Sequence, residues 1–412
     1  MSGFRDWWGA CLRTAATLLV LLWGLLAVAH AAQAPGTAAA KFGRGAATLA
    51  RLWNTDGLRL PVIVEFALPE AAKAAASDKP DDDAALTQGV HAAQDAILQR
   101  LLGAGSAAAL TPSSPQSVRR MAFSPLFAMS ATAAEVERLA LDPQVVRIHS
   151  DTLSYPQLVQ TVPLIGMPAA YASGATGDGQ VVAALDSGAR ASHEFLAGKV
   201  AAEACFSRAD ASAGIVSACS GGAVSATGTG SADDCDPADA FGCGHGTHVA
   251  GIAAGFNTNV QAGEPQNGVA RAARLFPVNV MSRALPGSAA CKAGCLVSFA
   301  SSQILGLEEV YARRDKLSVA AVALGLAERT AATDCALDPR AAIIARLRAA
   351  GVATVVPAGN DGADAVVPAP GCIASAVTAA ASTKKDERAF FSNWGPQVAL
   401  VAPGADVLSS AG

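Results

Sequence analysis

Charged side chains are scarce in this 412-residue chain. Asp, Glu, Lys and Arg make up 16% of it, against about a quarter in ordinary soluble proteins. The net charge is -4, and no run of Lys or Arg interrupts the sequence. Because nucleic-acid binding depends on clustered positive charge, the composition argues against a nucleic-acid partner. Hydrophobic residues make up 51%, but alanine supplies much of that share, so the value does not by itself indicate a membrane protein.

The N-terminus lacks an apolar run long enough to span a bilayer. The run from Ala15 to Ala29 falls short of the roughly 20 residues required, and no stop-transfer charges follow it. Arg5 and Arg13 precede the run, and Ala29-His30-Ala31 ends it with an Ala-x-Ala cleavage pattern. We therefore predict a cleaved signal peptide over 1–31, no stable membrane anchor, and a secreted or periplasmic protein.

The cysteines lack the spacing of a zinc finger. Cys291-x-x-x-Cys295 has a plausible ligand spacing, but no matching Cys or His pair follows it. Cys11 lies in the signal segment, and the other cysteines all fall in the later part of the chain: Cys205, Cys219, Cys235, Cys243, Cys291, Cys295, Cys335 and Cys372. An even number in an exported chain predicts up to four disulfides, whose connectivity the sequence does not fix. We predict the pairs that close the shortest loops: 205–219, 235–243, 291–295 and 335–372.

A small domain is predicted over 58–152, after an Ala- and Gly-rich segment (32–57) that we interpret as a linker. Its hydrophobic residues alternate between the periods of strands and of helices. The predicted elements are a strand at Leu60–Phe66, a helix with Val90, Ala93, Ile97 and Leu101 on one face, a strand at Met121–Met129, a helix after a capping box at Thr132–Glu135, and a strand at Val145–Ile148. This order is typical of a small α+β domain of the ferredoxin-like kind, although an unrelated binding domain fits equally well.

From Gly177 onward, buried strands alternate with helices. The apolar run Gln180–Gly188 is typical of a strand buried on both faces of a parallel sheet. Asp186 lies at the carboxyl end of this strand, where open α/β sheets carry their sites, although an Asp in this position also caps helices. The later predicted elements are strands at Ala273–Val280, Val319–Gly325 and Ala353–Val356, and helices at Ser298–Arg314, with Ile304, Leu307, Val310 and Tyr311 inward, and at Ala341–Ala349. The alternation predicts an α/β fold, a parallel sheet covered by helices on both faces.

The most informative stretch is Gly242-Cys-Gly-His-Gly-Thr-His-Val-Ala-Gly-Ile-Ala-Ala-Gly255. His245 stands between two glycines at the start of a helix of small residues, rigid but accessible, as a general base must be. A lone His at a helix start is more often a satisfied structural residue. The whole stretch, however, resembles the histidine block of the subtilisin-like serine proteases (subtilases, peptidase S8). The resemblance implies that His245 is the base and that His248 is a buried structural neighbour.

The resemblance extends to the Asp-Ser-Gly block at 186–188 and to Pro357–Gly362. It implies that Asp186 orients His245, that the Asn360 side chain donates to the oxyanion, and that Ala323, Leu324 and Gly325 bind the substrate backbone to backbone. Ala323 stands where the family usually has Ser, which affects specificity more than activity. With 153–412 as the peptidase domain, the small domain resembles the family's propeptide, an intramolecular inhibitor. Its cleavage is expected between Asp151 and Thr161, where Ser154–Gln157 looks like an exposed linker.

The Gly-Thr-Ser block that carries the family's nucleophile is not present. In the family it follows an Ala-Pro-Gly landmark, here Ala402–Gly404, but the sequence reaches only Gly412. Ser409 and Ser410 have no Gly-Thr before them and no helix after them, so neither is expected to be catalytic. We expect a serine endopeptidase precursor with an Asp-His-Ser triad acting on polypeptides, its nucleophile outside this chain. The chain given would then be a fragment, inert and prone to aggregate.

Three alternatives to a serine endopeptidase remain. Sedolisin-type carboxyl proteases share the fold but use Glu as base, and His245 argues against them. A metalloprotease needs Glu beside the first His, a position that Gly246 occupies. The third alternative is a catalytically inactive relative that binds peptides along Val319–Gly325. Such a protein has no use for Asp186, His245 and Asn360 together, so their presence argues against it. No cofactor is required. The carboxylates within Asp233–Asp239 predict either a structural calcium ion or, as the favoured interpretation, a solvated acidic loop held by disulfides.

Overall fold

The structure, a computed structural model, describes residues 36–43, 46–55, 57–68, 83–102, 118–151, 153–156, 164–259, 265–328, 335–405 and 407–410. These residues form a small N-terminal domain around a four-stranded sheet and a large domain with sheets of eight and five strands. The predicted signal peptide lies outside the described residues. Within them, no helix has both the length and the apolar character needed to cross a membrane.

The small domain has a four-stranded antiparallel sheet. Its elements are α1 (Gly36–Ala39), α2 (Ala46–Ala50), a 3-10 helix (Arg51–Asn54), β1 (Leu60–Phe66), α3 (Asp83–Leu102), β2 (Arg119–Arg120), β3 (Leu126–Ala131), α4 (Ala133–Leu141) and β4 (Val145–Ser150). The strand order is β2-β3-β1-β4, and all three strand pairs are antiparallel. From β1 onward this is the ferredoxin-like arrangement that the sequence predicts.

Both faces of this small sheet are buried. Val62 and Val64 of β1 pack into the core of the small domain, which includes the four predicted inward residues of α3. Ile63, between them, belongs to the core of the large domain, as does Ala128 of β3. Because alternate residues of a strand point to opposite faces, β1 and β3 join the two domains through one sheet.

The capping box at the start of α4 is confirmed. Thr132 Oγ1 accepts the backbone N–H of Glu135, and the Glu135 carboxylate accepts the backbone N–H of Thr132 at 2.8 Å. The strand predicted at Met121–Met129 corresponds to β3, which begins only at Leu126. The chain bends between Met121 and Pro125, so the strand is shorter than predicted. Met121 itself is buried in the core of the large domain.

The predicted linker over 32–57 is wrong for the part that the structure describes. Helix α2 and the 3-10 helix bury Leu49 and Leu52 in the core of the small domain. Phe42 forms a bridge with Ile148 of β4. Small and apolar residues in this segment therefore contribute to a packed core, although the Ala- and Gly-rich composition indicated a loose connection.

The large domain alternates strands and helices. Its elements are β5 (Leu153–Pro156), α5 (Met167–Ala172), β6 (Val181–Asp186), β7 (Ala204–Phe206), β8 (Ile215–Ser217), β9 (Ser225–Thr227), α6 (His245–Ala254), β10 (Arg274–Asn279), β11 (Ser282–Ala284), β12 (Cys295–Phe299), α7 (Ala300–Leu317), β13 (Val319–Leu324), β14 (Leu326–Ala327), α8 (Ala341–Ala349), β15 (Ala353–Pro357), β16 (Val377–Ser382) and β17 (Val398–Pro403). The eight-stranded sheet has the order β17-β16-β15-β13-β6-β10-β7-β9. All neighbours in it are parallel except β7 and β9 at one edge.

Helices cover both faces of this sheet, as predicted. Ala183 and Leu185 of β6 lie in one buried cluster with the inward residues of α7. Val182, on the opposite face, packs against a second cluster that contains Ala250 and Ala254 of α6. The inward residues predicted for α7 (Ile304, Leu307, Val310 and Tyr311) are all buried. The helix itself begins two residues later than predicted, because Ser298 still belongs to β12.

The five-stranded sheet has the order β14-β5-β12-β11-β8. Strand β5 runs antiparallel to both of its neighbours, with Ser154 opposite Ser298 and Pro156 opposite Leu326. The expectation that Ser154–Gln157 is an exposed linker is therefore wrong as far as Pro156. The backbone of this segment is a strand between two others.

Three of the four predicted disulfides are present: Cys205–Cys219, Cys235–Cys243 and Cys335–Cys372. The predicted pair Cys291–Cys295 is wrong, since neither of these cysteines is disulfide-bonded. Cys295 begins β12 and is buried in a cluster with Val297, and Cys291 packs against the same cluster from the preceding turn. Both fill space there as small apolar residues.

Candidate active site

Asp186 and His245 are brought together at the end of β6. Asp186 is fully buried at the last position of that strand, where its Oδ1 accepts the backbone N–H of Ser187 at 2.8 Å. His245 is 4% exposed, and its Nδ1 lies 2.5 Å from the same Oδ1. A carboxylate in this position accepts a proton from Nδ1 and so fixes the tautomer of the imidazole. The basic nitrogen of His245 is then Nε2.

Two glycines permit this close approach. A Cβ on Gly246 would come within 2.0 Å of the Gly188 carbonyl oxygen, so only glycine lets the start of α6 contact the loop after β6. A Cβ on Gly325 would lie 2.1 Å from Asp186 Oδ2 and 3.4 Å from His245 Cε1. The backbone after β13 therefore covers the Asp-His pair directly.

Asp234 caps the helix that begins with His245. Its Oδ1 accepts the N–H of Gly244 at 3.2 Å, and its Oδ2 accepts the N–H of Thr247 at 3.0 Å and the Thr247 hydroxyl at 2.7 Å. These donors are among those that a helix N-terminus leaves unpaired. Burial raises the pKa of Asp234, although these hydrogen bonds oppose the shift.

The Cys235–Cys243 disulfide holds this cap in place. It closes the loop that separates Asp234 from Gly244 and His245. Ser187 supports the same helix start, because its hydroxyl accepts the N–H of Gly246 at 2.7 Å. No local motif predicts this role of Asp234, which lies eleven residues before His245, within an acidic stretch.

The acidic stretch is accordingly not a uniformly solvated loop. Asp234 is buried, whereas Asp233, Asp236 and Asp239 are exposed. Among the residues that the structure describes, no group of three or more His, Cys, Asp or Glu side chains could hold a metal ion. Calcium binding stays a prediction.

Asn360 lies in the loop after β15 and is held there by Asn393. Asn393 is buried, and its Oδ1 accepts the N–H groups of Asp361 and Ala363 at 2.9 and 3.0 Å. Its own N–H donates to the Gly359 carbonyl at 3.0 Å. Asn393 thus fixes the loop on both sides of Asn360.

Asn360 and the predicted substrate strand line one cavity of about 280 Å³. Ala323, Leu324 and Gly325 form one part of its wall, and Asn360 with the end of β15 forms another. Since a Cβ on Gly325 would touch both Asp186 and His245, the part of the cavity wall that Gly325 forms adjoins the Asp-His pair. All of the predicted site residues therefore converge on the carboxyl ends of β6, β13 and β15.

The peptide-pairing role predicted for the whole of Val319–Gly325 needs correction. Strand β13 is paired with β6 on one edge and with β15 on the other as far as Ala323. Its backbone hydrogen bonds are therefore used within the sheet up to that point. The backbone that pairs with an antiparallel strand is instead that of Leu326–Ala327, which pairs with β5.

His248 and the two late serines lie along α6. His248 is half-buried rather than buried, and burial lowers its pKa. The Ser409 hydroxyl donates to the His248 carbonyl at 3.0 Å, and the Ser410 hydroxyl donates to the Thr247 carbonyl at 2.7 Å. Both hydroxyls are thus hydrogen-bonded to the backbone of the helix that carries His245.

Comparison with known protein families agrees with this geometry. The model of the Subtilase family matches residues 177–411, which include both members of the Asp-His pair. The chain belongs to the subtilase family. The resemblance seen in the histidine block is thereby confirmed, and so is the family's α/β fold class.

Two curated relatives of this subtilase are bacterial enzymes. It is 32% identical to the extracellular serine proteinase of Thermus sp. (strain Rt41A) over 289 residues, which cover 67% of this chain and 57% of that protein. It is 29% identical to the alkaline protease of Shouchella clausii over 290 residues, 69% of this chain and 62% of the relative. The subtilase therefore spans about three-fifths of the length of these relatives. Among solved structures, a cold-adapted subtilisin-like serine proteinase is similar with 25% identity and a TM-score of 0.38, covering 57% of this chain and 67% of that one.

Proposed function

We propose that this subtilase is the precursor of a secreted serine endopeptidase that hydrolyses peptide bonds in polypeptides. The observation that carries the proposal is the buried Asp186–His245 pair, which adjoins the cavity lined by Asn360. The extracellular location named for the Thermus relative supports secretion.

In the proposed reaction, a serine hydroxyl attacks the peptide carbonyl carbon while His245 Nε2 takes up the hydroxyl proton. Asp186 keeps the proton on Nδ1 and stabilises the imidazolium that forms. The Asn360 side chain donates to the oxyanion of the tetrahedral intermediate. His245 then gives its proton to the leaving amine, and water hydrolyses the acyl-enzyme by the same route.

The small domain is proposed to be an inhibitory propeptide. Its docking on α7 supports this role, because the Glu308 carboxylate accepts the N–H groups of Ala122 and Phe123 at 2.7 and 3.1 Å. The Phe123 ring packs edge-on against Tyr311, with centroids 5.2 Å apart. These contacts fix the small domain to the helix that covers one face of the catalytic sheet.

The segment after the small domain has the geometry of a bound peptide. Strand β5 lies antiparallel between β12 and β14, and its last residue, Pro156, is opposite Leu326. Leu326 directly follows Gly325, which lies next to the Asp-His pair. Because extended peptides bind proteases by adding a strand, we propose that β5 occupies the substrate cleft. Cleavage is then expected after Pro156 and by Thr161, which N-terminal sequencing of the mature enzyme would test.

The proposed nucleophile is a serine C-terminal to Gly412. The backbone-bonded hydroxyls of Ser409 and Ser410 support the expectation that neither serine is catalytic. Leu400 and Val401 of β17 are 57% and 48% exposed, an apolar surface that a following segment would cover. Reading the coding sequence past Gly412 is expected to give a Gly-Thr-Ser block, whereas a stop codon there favours the inactive peptide-binding alternative.

Labelling with an active-site serine phosphonate tests the proposal. The 412-residue chain is expected to remain unlabelled. The same chain extended through its Gly-Thr-Ser block, the extended protein, is expected to be labelled at that serine alone. The variant with His245→Ala serves as the matched control and should lose the label. Labelling of Ser409 or Ser410, or labelling that does not need His245, would rule out the proposed triad.

A further inference from the structure

Two arginines meet at the contact between the small and the large domain. Arg208, after β7, is 3% exposed; its Nη2 donates to Ser130 Oγ at 2.6 Å and its Nη1 lies 3.4 Å from Asp151 Oδ2. Arg119, in β2, donates from Nη1 to the hydroxyls of Ser301 and Ser302 at 3.0 and 2.9 Å. Its Nη2 is fully buried and has no hydrogen-bond partner among the described residues.

Asp151, whose charge acts on both arginines, is already used in other contacts. Asp151 accepts the N–H of Ser301 at 2.9 Å and the hydroxyl of the same residue, in addition to its ion pair with Arg208. Burial lowers the pKa of Arg119 to about 10. The positive charge of Arg208 also lowers this pKa, whereas the negative charge of Asp151 raises it. A buried guanidinium nitrogen without a partner costs free energy that a ligand with acceptor oxygens would recover.

Both arginines face a cavity of about 310 Å³ between the domains. Arg120 of the small domain and Ser207 and Ser225 of the large domain also line it. Among the described residues, no carboxylate contributes to the wall. Arg120 is paired with Asp95 at 2.6 Å, so Arg119 and Arg208 are the cations of the wall whose charge is least neutralised by a carboxylate of their own domain.

We propose that this cavity binds a small inorganic oxyanion, phosphate or sulfate, through Arg119 and Arg208. Guanidinium groups match the oxygens of such anions with two parallel hydrogen bonds, and the interaction is strong where water is excluded. Because one arginine belongs to each domain, the anion fastens the small domain to the large one.

Isothermal titration of the full 412-residue chain with sodium phosphate tests the site, at an ionic strength held constant with sodium chloride. One saturable site per chain is expected, together with a rise in Tm over chloride alone. Arg119→Gln should weaken phosphate binding by about tenfold or more, the loss of a charge-assisted hydrogen bond. Arg51→Gln removes the same charge from an exposed position of the small domain and should bind phosphate like the wild type.

The stability of the variant without phosphate separates a lost site from a lost fold. A cooperative unfolding transition of Arg119→Gln in chloride shows that the variant is folded, and phosphate should then raise its Tm less than that of the wild type. If that variant does not fold, Arg119→Lys is used instead. It keeps the charge but lacks the two parallel N–H donors of the guanidinium, so it should bind phosphate more weakly than the wild type. Absence of saturable binding to the wild type, or wild-type affinity in the Arg119 variants, would overturn the proposal. The site does not depend on the proteolytic reaction, so its failure leaves the proposed function untouched.

Discussion

His245 Nδ1 lies 2.5 Å from Asp186 Oδ1, although the two residues are 59 positions apart in the sequence. Asp186 ends a strand in the middle of a parallel sheet, and His245 begins a helix that packs on the same sheet. Both side chains are buried, so the pair is held at short range with little water to weaken it. A Cβ on Gly325 would come within 3.4 Å of His245 Cε1, so the part of the cavity wall that Gly325 forms lies next to the imidazole.

Asn360→Ala in the extended protein should lower kcat by about 10²- to 10³-fold and leave KM nearly unchanged. The reason is that the proposed hydrogen bond forms with the oxyanion and not with the ground-state carbonyl. Steady-state kinetics on a peptide substrate measure the effect. Asn259→Ala, an exposed Asn outside the cavity, is the matched control and should behave like the wild type. An unchanged kcat in Asn360→Ala would exclude the assigned role.

Asp234→Ala should destabilise the 412-residue chain by about 1–3 kcal/mol, because the N–H groups of Gly244 and Thr247 lose their acceptor. Urea denaturation measures the change in the unfolding midpoint. Asp233→Ala removes the same charge from the adjacent exposed position and should shift the midpoint little. Equal midpoints for the two variants would contradict the capping role.

Glu308 makes the stability of the chain depend on pH. Burial raises its pKa from the ordinary value of 4.5 to about 7, although the N–H groups of Ala122 and Phe123 favour the charged form. Between pH 4.5 and about pH 7, Glu308 holds a proton in the folded chain that it has released in the unfolded chain. The contribution of this group therefore falls as the pH rises through that window, by up to about 1.4 kcal/mol per pH unit, and is constant above about pH 7.

Glu308→Gln should remove this slope. The free energy of unfolding is measured with urea from pH 5 to pH 8 for both proteins. The value for the variant should increase relative to that for the wild type as the pH rises to about 7. Glu309 occupies the next position of α7 and pairs with Arg313. The control variant Glu309→Gln should keep the wild-type slope. A Glu308→Gln variant whose stability runs parallel to the wild type across this range would contradict the assignment.

Periodic patterns and residue blocks predicted much of this molecule. The apolar faces of α3 and α7, the capping box of α4 and the buried run that ends in Asp186 all depend on residues close together in the sequence. Local patterns of this kind determine which elements form and which face is buried. They also predicted the alternation that produces the parallel sheet.

What the sequence did not show depends on distant partners. Helix α2 and the 3-10 helix form because Leu49 and Leu52 pack into the core of the small domain. Strand β5 exists because β12 and β14 lie on either side of it. Asp234 caps a helix and Asn393 holds a loop through hydrogen bonds to residues ten or more positions away, so no local pattern predicts either contact.

The most direct test of the account is the kcat/KM for peptide hydrolysis by the extended protein and its Asp-His variants. His245→Ala removes the proposed base, and Asp186→Asn keeps the size of the side chain but no longer fixes the productive tautomer of His245. Each is predicted to lower kcat/KM by roughly 10⁴-fold while the folded structure is retained. Asp178→Asn, an exposed aspartate just before β6, should retain wild-type activity. Wild-type activity in either His245→Ala or Asp186→Asn would contradict the proposal that this pair drives the reaction.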